Sequence, residues 1–320
     1  MTSAWRPSTE IKLLRQRAEL IAKIRDFFKE RGVLEVDTPL LSQSTVTDPH
    51  VIGIPAIFKE IGSTQEQIRY LQTSPEYAMK RLLAAGSGPI YQICKAFRQG
   101  ERGTIHNPEF TMLEWYRPGF DHHLLMNEID DLLQSILNTS PAERLTYDEI
   151  FKQFLNLDPH RATLDELAAC VKKQSISFEK TDRNTYLNLL LTHCIEPQIG
   201  KERPLFLYDF PASQAALAKI RSEEPPVASR FEVYFKGVEL ANGFHELQDA
   251  GEQRKRFEND LAYREQNGIP PVPIDEFFLD ALQHGFPDCA GVALGIDRLM
   301  MLALGQEKIK AVLSFEFERA

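Results

Sequence analysis

"FRQGERGTIHNPEFTMLEWYRPG", from Phe97 to Gly119, is the stretch on which the fold of this chain turns. An arginine closes one apolar run, "PIYQICKAFR". A polar loop over 99–107 follows, and then a second apolar run, "PEFTMLEWY", which carries two carboxylates. Two such runs joined by a Gly-containing polar loop predict an antiparallel hairpin. Upstream, "SPEYAMKRLLAAG" has helical spacing, with Ser74 at its cap and Gly86 at its end. "VLEV", before Thr38-Pro39, reads as a short strand ended by proline. The chain opens on an amphipathic helix in which Ile11, Leu14, Ala18, Ile21, Ile24 and Phe28 recur at helical spacing. Pro7-Ser8 supplies its cap signal, Glu10 an acid in the first turn, and Gly32 its stop.

Downstream, residues 120–200 turn helical: "LLMNEIDDLLQSIL", "TYDEIFKQFL", "LDELAACVKK" and "RNTYLNLLLTHC". Strands resume with "PLFLYDFP" and "RFEVYFKGVELANGFHEL". A charged helix from Gly251 to Asn267 follows, broken by Pro270, Pro271 and Pro273. The end, "GVALGIDRLMMLALG", is an apolar Gly-containing strand running into a helix. This order predicts an α+β fold around an antiparallel core and not a doubly wound sheet.

Composition narrows the functional classes. The 320 residues are 43% apolar and 26% charged, the balance of an ordinary globular protein. No apolar run approaches the roughly eighteen residues of a membrane span. "MTSAWRPSTEIK" lacks the basic and apolar regions of a signal peptide, so a cytoplasmic location is expected. Cys94, Cys170, Cys194 and Cys289 are far apart and show no C-x-x-C pairing, which argues against a disulfide or zinc framework. A net charge of −9 counts against a nucleic-acid partner.

Three separated segments form a pattern: "GVLEVDTPLL", "FRQGERGTIHNPEFTMLEWY" and "GVALGIDRLMML". They resemble motifs one, two and three of the class II aminoacyl-tRNA synthetases, most closely the catalytic domain of lysyl-tRNA synthetase. "HNPEFTMLEWY" and "ELANGFHEL" are the most specific pieces. The resemblance implies a single domain over 1–320, an antiparallel β-sheet flanked by helices, with a peripheral helical insertion at about 121–200 and no anticodon-binding domain. It also implies a homodimer, with the Pro39 segment at the two-fold interface.

The family's reaction joins an amino-acid carboxylate to the α-phosphate of ATP, so positioning and charge stabilisation dominate. By the resemblance, the catalytic residues are Arg98, Glu239, Glu246 and Arg298. Arg98 would bridge the substrate carboxylate and the α-phosphate, which its planar fork suits. Phe110 and Arg298 would sandwich adenine. Gln99, Gly100, His106, Asn107, Leu240 and Gly295 complete the ATP side. Glu239 and Glu246 look like the acids that bind Mg2+, a cation suited to few carboxylates plus phosphate oxygens. Ser74, Pro75, Glu76, Tyr116, Asn242, Glu246 and Ala293 line the amino-acid side. A diamine substrate explains the crowding of acids, since each ammonium needs an anionic partner. Glu109 and Glu114 also fit ordinary edge or salt-bridge positions, and Tyr116 also fits core packing.

Three departures refine the resemblance. The anticodon-binding barrel of lysyl-tRNA synthetases has no counterpart before motif one. Ala293 stands where the tRNA enzymes usually have glycine, and one methyl there is worth roughly 1–3 kcal/mol against the usual α-amino group. The family's Arg-x-Glu becomes Arg98-Gln99-Gly100, with Glu101 one place late, which leaves the usual adenine contact open. The truncation and Ala293 together resemble the branch of the family that transfers (R)-β-lysine to a lysine of elongation factor P. Tests on tRNA, on small-molecule acceptors and for a non-catalytic role separate this reading from its rivals.

Overall fold

The structure is a computed structural model and describes residues 5–178 and 181–320. The chain divides into two compact units. The first comprises Met1–Gly119, Gln248–Cys289 and Ala293–Ala320; the second comprises Phe120–Leu247 and Ala290–Val292.

The first unit begins with α1 (Ile11–Glu30), β1 (Leu34–Glu35), β2 (Leu41–Ser42), β3 (Ile54–Lys59), β4 (Glu66–Leu71), α2 (Glu76–Ala84), β5 (Ile90–Phe97) and β6 (Glu109–Pro118). Helix α1 forms where the apolar period predicts and buries Ile24, Phe27 and Phe28. The Phe28 ring stacks on Tyr91 at 4.4 Å and meets Trp115 edge-on at 5.2 Å, tying the helix to both strands of the hairpin. Its cap differs from the expectation. Glu10 is the N-cap and makes no side-chain bond. The Ser8 hydroxyl is taken instead by the Glu316 N–H at 2.9 Å, so the C-terminal segment wins the group that would have capped the helix.

The hairpin forms as predicted, with eight register pairs from Ile90↔Tyr116 to Phe97↔Glu109. β1 joins β5 in parallel, an exception to the antiparallel rule of this unit. The three-stranded sheet β2-β4-β3 had no sequence signal. The physical reason is that β3 and β4 stay largely exposed, so no buried face imposes an apolar alternation on them.

The second unit runs α3 (His122–Leu137), β7 (Glu143–Thr146), α4 (Tyr147–Leu155), α5 (Leu164–Lys173), α6 (Arg183–Leu190), β8 (Leu205–Pro211), β9 (Ile220–Arg221), β10 (Val227–Phe235) and β11 (Val238–His245). α4 and α5 each start with a capping box, Thr146 with Glu149 and Thr163 with Glu166. The segment expected to be a helical insertion is not purely helical. It holds β7, which pairs in parallel with β8. Tyr147, Phe151, Leu167, Leu187 and Leu190 from its helices share one core with Leu205, Leu207, Ala228 and Tyr234 of the strands. β8, β9 and β11 all pair antiparallel with β10.

The first unit then resumes with α7 (Ala250–Gln266) and α8 (Glu276–Gln283). β12 (Cys289–Gly295) has residues in both units, and α9 (Ile296–Ala303) closes the regular structure of the first. Among the described residues no helix is long and apolar enough to cross a membrane.

Candidate active site

Strand alternation puts Phe110, Met112, Glu114 and Tyr116 on one face of β6, while Leu113 and Trp115 turn into the core. Arg98, just beyond the end of β5, lays its guanidinium over the Phe110 ring, 5.1 Å from the centroid. The same guanidinium reaches Glu101 at 3.4 Å and donates to the Thr73 carbonyl at 3.4 Å. Glu101, one place late in the motif, is thus the partner of Arg98. Phe110 and Glu114 are four residues apart, which on a strand is roughly 13 Å. An arginine–aromatic platform and a carboxylate site therefore sit at two ends of one strand face.

The carboxylate end is almost sealed. Glu114 is 2% exposed and Tyr116 2% exposed. The Ser74 hydroxyl donates to Glu114 Oε2 at 2.7 Å, and the Tyr116 hydroxyl donates to Oε1 at 2.7 Å. The N-cap of α2 is Pro75 and not Ser74 as expected, but the Ser74 oxygen accepts the Glu76 N–H at 3.0 Å, so one hydroxyl fixes the chain entering the helix and orients the carboxylate. Burial, and next the negative charge of Glu76, push the Glu114 carboxyl up to about 7 despite both hydroxyl donors. Desolvation wins over two neutral hydrogen bonds. Glu114 is no edge residue, and Tyr116 is packed in the core with its hydroxyl taken by Glu114. The sequence alone had undervalued Glu114; its signal was its even spacing from Phe110 and Tyr116.

The loop after Arg98 is anchored at several points. Gly100 takes φ +84°, a conformation that favours glycine, and the Gln99 N–H donates to the Ile52 carbonyl at 2.8 Å. Arg102 pairs with Glu318, and the Ile309 N–H donates to the Thr104 carbonyl at 2.9 Å. Asn107 uses both ends of its amide: Nδ2 donates to the Glu109 carbonyl at 2.6 Å, and Oδ1 accepts the Phe317 N–H at 3.1 Å. It tethers the loop to the C-terminal segment. The Arg298 guanidinium donates to His106 Nε2 at 2.6 Å and to the Ile105 carbonyl at 3.4 Å. Burial, followed by Arg298, lowers the pKa of His106, so its ring is neutral and accepts that bond.

Arg298 is itself placed by its neighbours. Asp297, 1% exposed, accepts the Thr111 N–H at 2.7 Å and pairs with Arg17 at 2.6 Å. That locks the start of α9 to β6 and α1. Gly295 precedes the helix, and a Cβ added there would lie 3.6 Å from the Arg298 stem, in ordinary contact. Ala293, between buried Val292 and Leu294, stands on the more open face of β12.

The second unit carries the other acids. Glu239 and Glu246 are seven residues apart, which would put them on opposite faces of a regular strand. The register between β10 and β11 changes that. Val233 pairs with Ala241 but Tyr234 pairs with Glu239, so Leu240 is an extra, unpaired residue. This bulge brings Glu239 onto the face that carries Asn242 and Glu246, the re-aiming for which bulges are used. Glu232 stands opposite Asn242 on that face and is buried. It accepts hydrogen bonds from Arg230 and Tyr234. Burial, then Glu232 and Glu239, raise the Tyr234 hydroxyl well above its ordinary pKa, so that phenol stays protonated between two acids. Asn242 Oδ1 is buried with no hydrogen-bond partner among the described residues. Gly243 is required here, because a Cβ would lie 2.3 Å from the Phe231 ring and 2.9 Å from the Gly291 carbonyl. No group of three or more His, Cys, Asp or Glu able to hold a metal ion occurs among the described residues.

The model of the tRNA synthetases class II (D, K and N) matches residues 3–319. The chain belongs to that family. This class II synthetase is 54% identical to the elongation factor P--(R)-beta-lysine ligase of Edwardsiella ictaluri over 321 residues, 99% of each chain. It is 55% identical to the protein of that name from Salmonella paratyphi B over 322 residues, 100% of this chain and 99% of the other. Within the first unit of this class II synthetase, Ser74, Glu76 and Tyr116 gather at the Glu114 end of the β6 face. Arg98 meets Phe110, and His106 meets Arg298. Sequence reasoning missed three contributors: Glu232, the support from Asp297, and the buried Lys80 bonded to Glu76 at 2.6 Å.

Proposed function

We propose that this protein activates (R)-β-lysine with ATP and transfers the β-lysyl group to the ε-amine of a lysine on elongation factor P. The observation that carries the reading is the β6 face, with Arg98 over Phe110 at one end and buried Glu114 with Ser74 and Tyr116 at the other. It suits a ligand with an aromatic base at one end and an ammonium at the other. The names of the relatives support the choice of amino acid and acceptor.

In the first half-reaction a carboxylate oxygen attacks the α-phosphorus, and the bond to pyrophosphate breaks. Arg98 neutralises the charge that gathers where the two anions meet. Phe110 and Arg298 hold the adenine, and neutral His106 keeps the Arg298 guanidinium in place. In the second half-reaction the acceptor amine attacks the acyl carbon, the acyl–phosphate bond breaks to release AMP, and the amine loses a proton. Glu76, Glu114, Tyr116 and Ser74 hold one substrate ammonium. Asn242 holds the carboxylate, and Glu246 holds the second amine. The Ala293 methyl disfavours an α-amino group at its usual place.

Magnesium would be held by Glu239 and Glu246, whose hard carboxylate oxygens suit it together with phosphate oxygens. When bound there, it would neutralise phosphate charge. The protein acts in the cytoplasm as a homodimer without binding tRNA. Intact mass measurement of elongation factor P tests the whole reading, after incubation with the protein, ATP, magnesium and either (R)-β-lysine or α-lysine. The expected result is a gain of one lysyl residue, much faster with the β-isomer. No gain, with amino-acid-dependent pyrophosphate exchange intact, would move the acceptor elsewhere; lysylated tRNA would replace this reading with tRNA charging.

A further inference from the structure

Lys80 is 1% exposed, and almost no lysine is buried so completely without a reason in its charge. Its ammonium lies 2.6 Å from Glu76 Oε1, one turn back on α2. Behind it are the faces of Phe278 at 5.5 Å and Phe286 at 6.0 Å, both favourable to a cation. Tyr77, next to Glu76, stacks on Phe278 at 4.7 Å. A surface i,i+4 pair contributes a few tenths of a kcal/mol and is dispensable, but this one is desolvated and lies beside the amine end of the β6 face.

The charges there can be counted. Glu76 and Glu114 are each within electrostatic reach of the other, and Lys80 is within reach of both. With Lys80 present and both carboxyls ionised, as above pH 7, the trio carries one net negative charge, matching a single ammonium. Without it, two desolvated carboxylates face one another, and one of them takes up a proton. Glu76 would then lose its fixed orientation.

We propose that Lys80 is a positioning residue for the amine subsite: an internal counter-ion that holds the Glu76 carboxylate in its orientation, so that the subsite accepts one ammonium. This rests on the reading of the Glu114 cluster as the amine site. The groups facing Lys80 are Glu76 on its own helix, Glu114 on β6, and the rings of Phe278 on α8 and Phe286 beyond it.

The test is amino-acid-dependent ATP–pyrophosphate exchange by the full-length wild-type, Lys80→Met and Lys80→Arg proteins between pH 6 and 9, with thermal melting alongside. Lys80→Met keeps the length and apolar stem of the side chain. At pH 7 it is expected to raise KM for (R)-β-lysine at least about tenfold, with KM for ATP changed less than about twofold. Its KM is expected to fall towards the wild-type value as pH rises, over a higher range than in the wild type, because the protonated carboxylate must first ionise. Lys80→Arg should recover most of the loss. An unchanged KM for the amino acid, or equal rises for amino acid and ATP with no change in pH profile, would overturn the proposal and leave Lys80 a packing residue. If the wild type itself shows no exchange dependent on (R)-β-lysine or α-lysine, the reading of the amine site fails and the proposal with it.

Discussion

β6 and β11 each present a row of functional side chains, and they do so by opposite means. β6 is regular over its whole pairing with β5, so period-two alternation alone aligns Phe110, Glu114 and Tyr116. β11 is interrupted at Leu240, and only that extra residue places Glu239 on the face of Asn242 and Glu246. A regular strand writes its site into the sequence; a bulged strand hides it, because spacing no longer reports the face.

Inserting one alanine in β10 between Val233 and Tyr234 is the sharpest way to break the contrast. It would give Leu240 a partner, restore a regular ladder and turn Glu239 to the face opposite Asn242, while leaving the buried Leu240 side chain in the chain. Pyrophosphate exchange is expected to fall at least about a thousandfold, while cooperative melting persists. Retained exchange in the folded insertion variant would mean that the bulge has no part in placing the acids.

Glu114→Gln tests the regular strand, with a smaller expected effect. Removing one partner of a buried charged contact should raise KM for the amino acid about a hundredfold, leaving KM for ATP near its original value. The pH dependence has a definite sign. The carboxyl is raised from 4.5 to about 7, so the protonated form is the one the ligand-free fold favours. Its contribution to stability is full below about pH 4.5 and is lost as pH rises through 7, by about 1.4 kcal/mol for each pH unit crossed between those values. Melting temperatures of the ligand-free wild type and Glu114→Gln between pH 5 and 8 should therefore diverge, the glutamine variant losing less. Amino-acid KM should fall through the same range in the wild type and stay flat in the variant. Parallel curves would remove Glu114 from the amine site.

The smallest effect belongs to β12. Ala293→Gly removes one methyl from the open face of a regular strand, and should shift the ratio of exchange rates with α-lysine and (R)-β-lysine towards the α-isomer by roughly tenfold. A ratio unchanged by the substitution would place that preference in other residues.

Much of the fold was legible because it rests on local periodicity. The helical spacing of α1, the hairpin runs and the two capping boxes are each written within a few residues. The sheet of β2, β3 and β4 was not, because its exposed strands have no buried face to impose a pattern. In the site, Arg98, Tyr116 and Arg298 stood out as charged or polar groups at the ends of apolar runs. Glu232 and Asp297 did not, since a single acid in an apolar run carries no sign of what it will meet.

The sequence by itself determined the order of elements, the family and the residue types of the site, because these follow from apolar period, turn residues and motif spacing. Tertiary structure alone decided that Ser8 serves the C-terminal segment instead of α1, that Glu239 turns to the face of Asn242, and that Glu114 is a carboxyl near neutrality. Each of those depends on which groups, distant in the chain, compete for one hydroxyl, one register or one volume from which water is excluded.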